Sequence, residues 1–360
     1  MVLTILRRYV KRSSRIRAPA RKPFVGRALG AWEDLGRFSQ GASMLSGEER
    51  EMPMMRRPFL RLWIALLVAG FFVGAAQAGE PGVPHVVVLG DPHLPGKYLA
   101  QKERVLQTVN GWGDANLVAV LGDICEDLGT AEEYAAARRF FDQLKKPAAF
   151  MAGNHDYIYA DNKDVSGRRL KGTVASRTAK LDRFRSTFGL GEVFSSRRLG
   201  GSLLLFLSTD DLTTSFLSKI SERQLTWLRA ELTANRDVPT LVFFHGPLEG
   251  TLLNFNQNAN RENFVAQPAY ELKELLRKHP QVFLWVAGHL HVPATNESFR
   301  APINLFDGRV LTVHAPDLNR ERIWTTSLFL HPDKVVLKTY DHQAGQWLTD
   351  LERSHPIRRP

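Results

Sequence analysis

From residue 85 onward, short unbroken apolar runs alternate with longer stretches whose apolar residues recur every three or four positions. The runs are His85–Leu89, Leu117–Leu121, Ala148–Met151, Leu203–Leu207, Thr240–Phe244 and Val282–Val286. They are rich in Val, Leu and Phe without polar alternation, as expected of strands buried on both faces. Between them, residues 131–146 set Tyr134, Ala137, Phe141 and Leu144 on one helical stripe. Residues 221–235 open with Ser221-x-x-Gln224, a capping box, and carry Leu225, Leu228 and Leu232 at helical spacing. Residues 268–279 repeat that spacing with Leu272, Leu275 and Leu276. Beyond Gly288 three strands, Val310–Val313, Ser327–Leu330 and Val335–Thr339, follow one another without a helix between them. Strand–helix alternation giving way to a β-rich end predicts an α/β layered sandwich with mixed sheets. No repeat or low-complexity linker interrupts residues 79–360, which read as one domain.

The composition of the 360-residue chain, 44% hydrophobic and 24% charged, excludes a disordered or fibrous protein. One cysteine, Cys125, excludes a disulfide framework and thiolate-based zinc sites, and is expected to pack as a small apolar group. The net charge of +11 suggests a polyanion-binding surface until it is located. Residues 1–78 hold 14 basic against 5 acidic side chains, leaving 34 against 32 in residues 79–360. No extended nucleic-acid surface is therefore expected. Arg56-Arg57-Pro58-Phe59-Leu60-Arg61 precedes an apolar run of 13 residues, Leu62–Gly74, and then Ala76-Gln77-Ala78. A spanning helix needs about 20 apolar residues, so residues 55–78 read as a cleaved export signal. That predicts a periplasmic or secreted protein with no stable membrane span after cleavage. The basic run resembles a twin-arginine signal, although Met55 stands where Ser or Thr is usual, and the export route stays open. Residues 1–54 read as either a disordered basic extension or a misassigned start.

Five strands end in polar clusters. These are Gly90-Asp91-Pro92-His93, Gly122-Asp123, Gly153-Asn154-His155-Asp156, His245-Gly246 and Gly288-His289-Leu290-His291. Ligands in α/β sheets bind beyond the carboxyl ends of strands, so these ends should converge on one rim. Four carry glycine before the first polar residue, where it allows a sharp turn and close approach. The donors are two carboxylates, one amide and four imidazoles, a set suited to Mn, Fe or Zn. Seven donors exceed one tetrahedral site but suit two divalent ions if a carboxylate bridges. Such a pair generates a metal-bound hydroxide and clamps an in-line phosphoryl displacement.

The ordered series Asp-x-His, Gly-Asp, Gly-Asn-His-Asp, His, Gly-His-x-His resembles the calcineurin-like metallophosphoesterase superfamily. Its bacterial class III cyclic-nucleotide and glycerophosphodiester phosphodiesterases are the most similar. Intervals of 32, 31, 91 and 44 residues separate Asp91, Asp123, Asn154, His245 and His289. The pattern and the resemblance together imply a four-layer α-β-β-α sandwich with two mixed sheets and a metal site at the strand ends. The resemblance implies two divalent metal ions: one held by Asp91, His93, Asp123 and His291, the other by Asp123, Asn154, His245 and His289. His155 would donate to a phosphoryl oxygen or protonate the leaving alkoxide. Asp156 would orient a histidine. The implied activity is hydrolysis of a small phosphate ester, chiefly a phosphodiester. A phosphomonoesterase or pyrophosphatase using the same centre, and a non-catalytic metal-stabilised module, are the alternatives.

His245 is followed by Gly246-Pro247 rather than a second histidine and a proline, which departs from many class III members. Residues 157–200 hold 10 basic against 4 acidic side chains and read as either a substrate-binding lid or a solvated helix and loop. Within them, Tyr157, Arg168 and Arg169 are candidate substrate contacts. Asp127 either orients a ligand or caps the helix starting near Thr130. Asn254–Asn263 lines the rim or forms exposed turns. His314 follows a strand and is the one doubtful case among His85, His279, His314, His331, His342 and His355, which otherwise read as core hydrogen-bonding histidines. Oligomeric state is not legible.

Overall fold

Strand β1 (His85–Leu89) shows what an unbroken apolar run accomplishes here. Val86 and Val88 pack between two sheets, while Val87 and Leu89 pack toward outer helices. A computed structural model describes residues 82–357. The basic extension at 1–54 and the export signal at 55–78 lie outside the described residues.

In the first sheet, β1 pairs in parallel with β2 (Ala115–Val120), which pairs in parallel with β3 (Ala148–Phe150). On its other side β1 is antiparallel to β12 (Trp324–Leu330), which is followed by β13 (Lys334–Asp341). Two short strands, β14 (Gln346–Trp347) and β15 (Arg353–Pro356), close that edge on β13. The second sheet has the order β10-β11-β9-β8-β7-β6. Its parallel centre is β7 (Ser202–Phe206), β8 (Thr240–Phe243), β9 (Val282–Ala287) and β11 (Val310–His314). Its edges, β6 (Ser195–Leu199) and β10 (Leu305–Phe306), are antiparallel. The sheets share an apolar layer that includes Leu117, Leu241, Phe243, Val286 and Leu328.

Helices α1 (Leu99–Gly111), α2 (Ala131–Phe141) and α4 (Val174–Phe188) cover the first sheet through Val105, Tyr134, Ala137, Leu181 and Phe184. Helices α5 (Glu222–Ala234) and α6 (Ala269–Lys278) cover the second through Leu225, Leu228, Leu272 and Leu276. The result is the expected four-layer sandwich. The short α3 (Asn154–Tyr157) and a separate hairpin, β4 (Tyr159–Lys163) with β5 (Arg169–Lys171), lie beside the strand ends. Among the described residues, no helix is long and apolar enough to cross a membrane.

Two capping details differ from expectation. Ser221 accepts the Gln224 N–H (3.2 Å), but the Gln224 amide turns away to the Ser208 backbone (2.9 and 2.8 Å), so that box is half made. The complete box is Thr130 with Glu133, whose carboxylate also accepts the N–H groups of Asp127, Leu128 and Gly129. Residues 157–200 form the β4–β5 hairpin, α4 and the edge strand β6. Several of their basic side chains point inward. Buried Lys180 donates to the carbonyls of Leu128 (2.6 Å) and Tyr159 (2.7 Å), and Arg177 donates to those of Gly172, Leu212 and Thr214. Arg183 holds the Gly129 carbonyl. This set of cations braces the hairpin and the loop after β2.

Candidate metal centre

The polar clusters after β1, β2, β3, β8 and β9 meet in space. Atoms of Asp91, His93, Asp123 and His291 form one group of potential ligands within 4.8 Å of one another, and Asp123, His245 and His289 form another. Asp123 belongs to both. Asn154 joins the second group, with its Oδ1 3.2 Å from His245 Nε2. His314 stays out of both, its Nε2 bonded to the Thr251 carbonyl (3.0 Å). His85 is likewise internal, linking Ser327 (2.9 Å) to Asp114 (3.2 Å) beneath the first sheet.

The backbone is strained where it carries these donors. Asp91, His93, Asp123, His289 and His291 have φ between 43° and 66°, five of the eight non-glycine residues with positive φ among the described residues. Such conformations cost on the order of 1–3 kcal/mol each and persist only where surrounding structure imposes them. The expectation that the preceding glycines make the turn holds only for Gly122, whose φ is 87°. Gly153 and Gly288 instead permit close approach: a Cβ on either would overlap the carboxylate of Asp123 or Asp91, respectively.

Each imidazole is oriented by its second nitrogen or by its neighbours. His245 Nδ1–H donates to the Leu121 carbonyl (2.8 Å), which aims Nε2 at Asp123 Oδ2 (3.3 Å) and Asn154 Oδ1. His93 Nδ1–H donates to the Glu126 carbonyl (3.1 Å), which brings its Nε2 to 3.1 Å from His291 Nε2. His289 is held by its backbone N–H on Asp91 (2.9 and 3.0 Å) and by its ring on Phe264. Both its ring nitrogens are buried without a hydrogen-bond partner. Seven nitrogen and oxygen donors converging on two shared points, and an imidazole with no protein partner, fit divalent cations at both positions.

Electrostatics agree. Burial pushes the Asp91 and Asp123 carboxyls up, but His291 and His245 beside Asp91, and His245 and His155 beside Asp123, outweigh it. Both carboxyls lie below the usual range, Asp123 well below. Burial opposes charge on His245 and His291, yet Asp123 and Asp91 raise each to about 9. Cation binding must displace those protons. Apparent metal affinity is therefore expected to rise steeply between about pH 6 and about pH 8 and to level off near pH 9, by about tenfold per pH unit for each proton displaced. Chelator-competition titrations at several pH values check this, and a flat profile contradicts it.

His155 lines a cleft of about 660 Å³ with His93, His291, Lys163 and Arg169. Its backbone N–H donates to Asp123 Oδ1 (2.8 Å) and its ring Nδ1–H to the Asp127 carbonyl (2.8 Å). Burial, together with His93 and Arg169, outweighs Asp123 and lowers its pKa to about 4. The resting ring is thus neutral near pH 7.

Several expected contacts require correction. The Asp156 carboxylate reaches no imidazole. It accepts the N–H groups of Cys125 (2.8 Å) and Gly153 (2.7 Å), stapling the loops after β2 and β3, and burial pushes its pKa to about 7. The Asp127 side chain neither orients a ligand nor caps α2, because Thr130 and Glu133 fill the cap. It pairs with Lys163 (2.5 Å) and Arg169 of the hairpin. Tyr157 is no substrate contact: one turn of α3 drives it into the core, with its hydroxyl on the Asp211 carbonyl (3.0 Å). Arg168 points out at the hairpin turn, paired with Asp164 (3.1 Å), whereas Arg169 does line the cleft. Asn256 and Asn260 close local turns within Asn254–Asn263.

Other supporting residues carry no motif. Asp317 Oδ2 lies 3.9 Å from His291 Nδ1, and Arg320 bridges Asp317 and the His291 carbonyl. Buried Lys102 donates to the His93 carbonyl (2.8 Å) and to Asn319 Oδ1 (3.0 Å).

Known proteins resemble this chain in sequence and fold. A 3',5'-cyclic-nucleotide phosphodiesterase from Nostoc sp. is 28% identical over 178 residues, 49% of this chain and 56% of that enzyme, so the chain spans little more than half the length of that relative. A glycerophosphodiester phosphodiesterase from Enterobacter lignolyticus is 26% identical over 261 residues, 70% of this chain and 86% of that one. A dimetal phosphatase from Danio rerio has a similar fold (TM-score 0.50, 15% identity), covering 77% of this chain and 99% of its own. Residues 84–293, which carry every donor of the centre, match the family model for calcineurin-like phosphoesterases. The chain belongs to that family.

Proposed function

We propose that the protein is an exported phosphodiesterase with a dinuclear centre acting on small phosphodiesters. The observation that carries this reading is the membership of Asp123 in both donor groups. Asp91, His93, Asp123 and His291 would hold one divalent cation (Mn, Fe or Zn), and Asp123, Asn154, His245 and His289 the other. Once bound, such a pair supplies positive charge to the phosphoryl oxygens and activates the attacking water.

The chain's own groups do the rest. Strained loops fix the donors before substrate arrives. His155, tethered through Nδ1 to the Asp127 carbonyl, presents Nε2 to the cleft. Its resting ring is neutral, so it acts as a donor only after Nε2 takes up a proton from the cleft water as the negatively charged substrate binds. The cleft walls favour a singly charged diester over a dianionic monoester. Glu126, Asp127 and Glu133 stand there against Lys163 and Arg169, and Asp127 already pairs with both cations. Both curated relatives described above are named as phosphodiesterases.

The test is a substrate panel on chelator-stripped protein resupplied with Mn²⁺, Fe²⁺ or Zn²⁺. Diester hydrolysis should vanish on stripping, return with metal, and exceed monoester and pyrophosphate hydrolysis. Faster monoester turnover overturns the diester assignment. Bound metal with no hydrolysis identifies a metal-stabilised binding module instead.

A further inference from the structure

We propose that Tyr159 is a positioning residue for the second cation, its hydroxyl anchoring the Asn154 side chain beside that cation. The proposal rests on Asn154 serving as a ligand there.

An asparagine ligates through its carbonyl oxygen only; its NH₂ end has no lone pair to offer and repels a cation. Asn154 is 2% exposed, so water does not decide the amide's orientation. The surroundings do. Asn154 Oδ1 lies 3.2 Å from His245 Nε2, on the cation side, while its Nδ2–H donates to the Tyr159 hydroxyl at 3.3 Å. Without the phenol oxygen, the buried amide nitrogen has no partner, and the side chain loses its anchor on the side away from the cation.

Tyr159 is itself held firmly. It is the first residue of β4 and 8% exposed. Its carbonyl accepts buried Lys180 Nζ (2.7 Å), which also binds the Leu128 carbonyl in the loop following Asp123. Its ring sits between the Arg169 guanidinium (5.6 Å to the centroid) and the His155 ring (5.3 Å). The β4–β5 hairpin and α4 therefore serve the centre as a brace for one phenol.

The experiment titrates the stripped full chain with Mn²⁺ alone and resolves two binding steps. Tyr159→Phe keeps the ring and removes the hydroxyl. It should weaken the second step by about 10–100-fold, the usual loss when a group orienting a ligand is removed, and leave the first unchanged. The Mn²⁺ concentration for half-maximal activity should rise by the same factor, with kcat restored at saturation. Both residues act through one contact, so in an Asn154→Ala background Tyr159→Phe should change the second step by less than about twofold. Equal loss in both steps, no loss, or the same loss in the Asn154→Ala background overturns the proposal. Asn154→Ala separates it from its premise. If Asn154→Ala spares the second step, Asn154 is no ligand. If that variant weakens the step and Tyr159→Phe does not, Tyr159 alone has been misassigned.

Discussion

Asp123→Ala is expected to lose both cations and reduce hydrolysis to background. Removing a group that merely orients a ligand lowers metal affinity about 10–100-fold, and Asp123 is a direct donor candidate in both groups at once. The substitution also disturbs its neighbours. Asp123 Oδ1 accepts the His155 N–H, and Oδ2 stands 3.3 Å from His245 Nε2. Its charge is the largest influence raising the His245 pKa to about 9 against burial. A buried imidazole that loses its carboxylate turns neutral, and one negative charge leaves a site that must offset two cations. Asp123→Asn, which keeps the shape and removes the charge, should fall nearly as far. Metal analysis beside a circular dichroism spectrum distinguishes this from unfolding. Retention of one cation at wild-type affinity by Asp123→Ala would mean that the two groups do not share the carboxylate.

His155→Ala should behave oppositely, keeping both cations while turnover falls by about 10²–10⁴, the usual contribution of a positioned acid or base. Alanine preserves the backbone N–H bond to Asp123, and the His155 ring belongs to neither donor group. What disappears is an imidazole tethered at Nδ1 and facing the cleft. If the ring protonates the leaving alkoxide, the loss depends on the alcohol. A nitrophenyl diester, with its weakly basic leaving group, should lose little, and an alkyl diester most. An equal loss with both esters assigns the ring to a phosphoryl oxygen. Turnover near wild type with alkyl diesters removes it from the reaction.

The central strands were legible because burial on both faces leaves an unbroken apolar word, as in Val86-Val87-Val88-Leu89. Helix α4 was not, because its inner face carries Arg177 and Lys180, whose cationic heads bind loop carbonyls where leucines would normally mark the stripe. Edge strand β6, Ser195-Ser196-Arg197-Arg198-Leu199, is mostly exposed and reads as surface loop. The donors of the centre were legible because each directly follows a strand, and parallel pairing of β1, β2 and β3 and of β8 and β9 aligns those ends. The support around them was not. Tyr157 and Tyr159 look equivalent in sequence, yet α3 turns the first into the core and β4 leaves the second against Asn154. Asp317 becomes relevant only because its segment bridges to Gly90 beside Asp91. Positive φ at five donors arises from long-range packing, such as Gly288 against the Asp91 carboxylate, which no local signal announces.

Whether two cations share Asp123 is read from the metal count per chain in Mn²⁺-loaded, desalted protein beside His93→Ala and His289→Ala. Two ions are expected in the wild type and one in each variant, since each histidine belongs to a different donor group. A single ion in the wild type, or a full complement of two in either variant, would mean that the two donor groups are not separate cation sites.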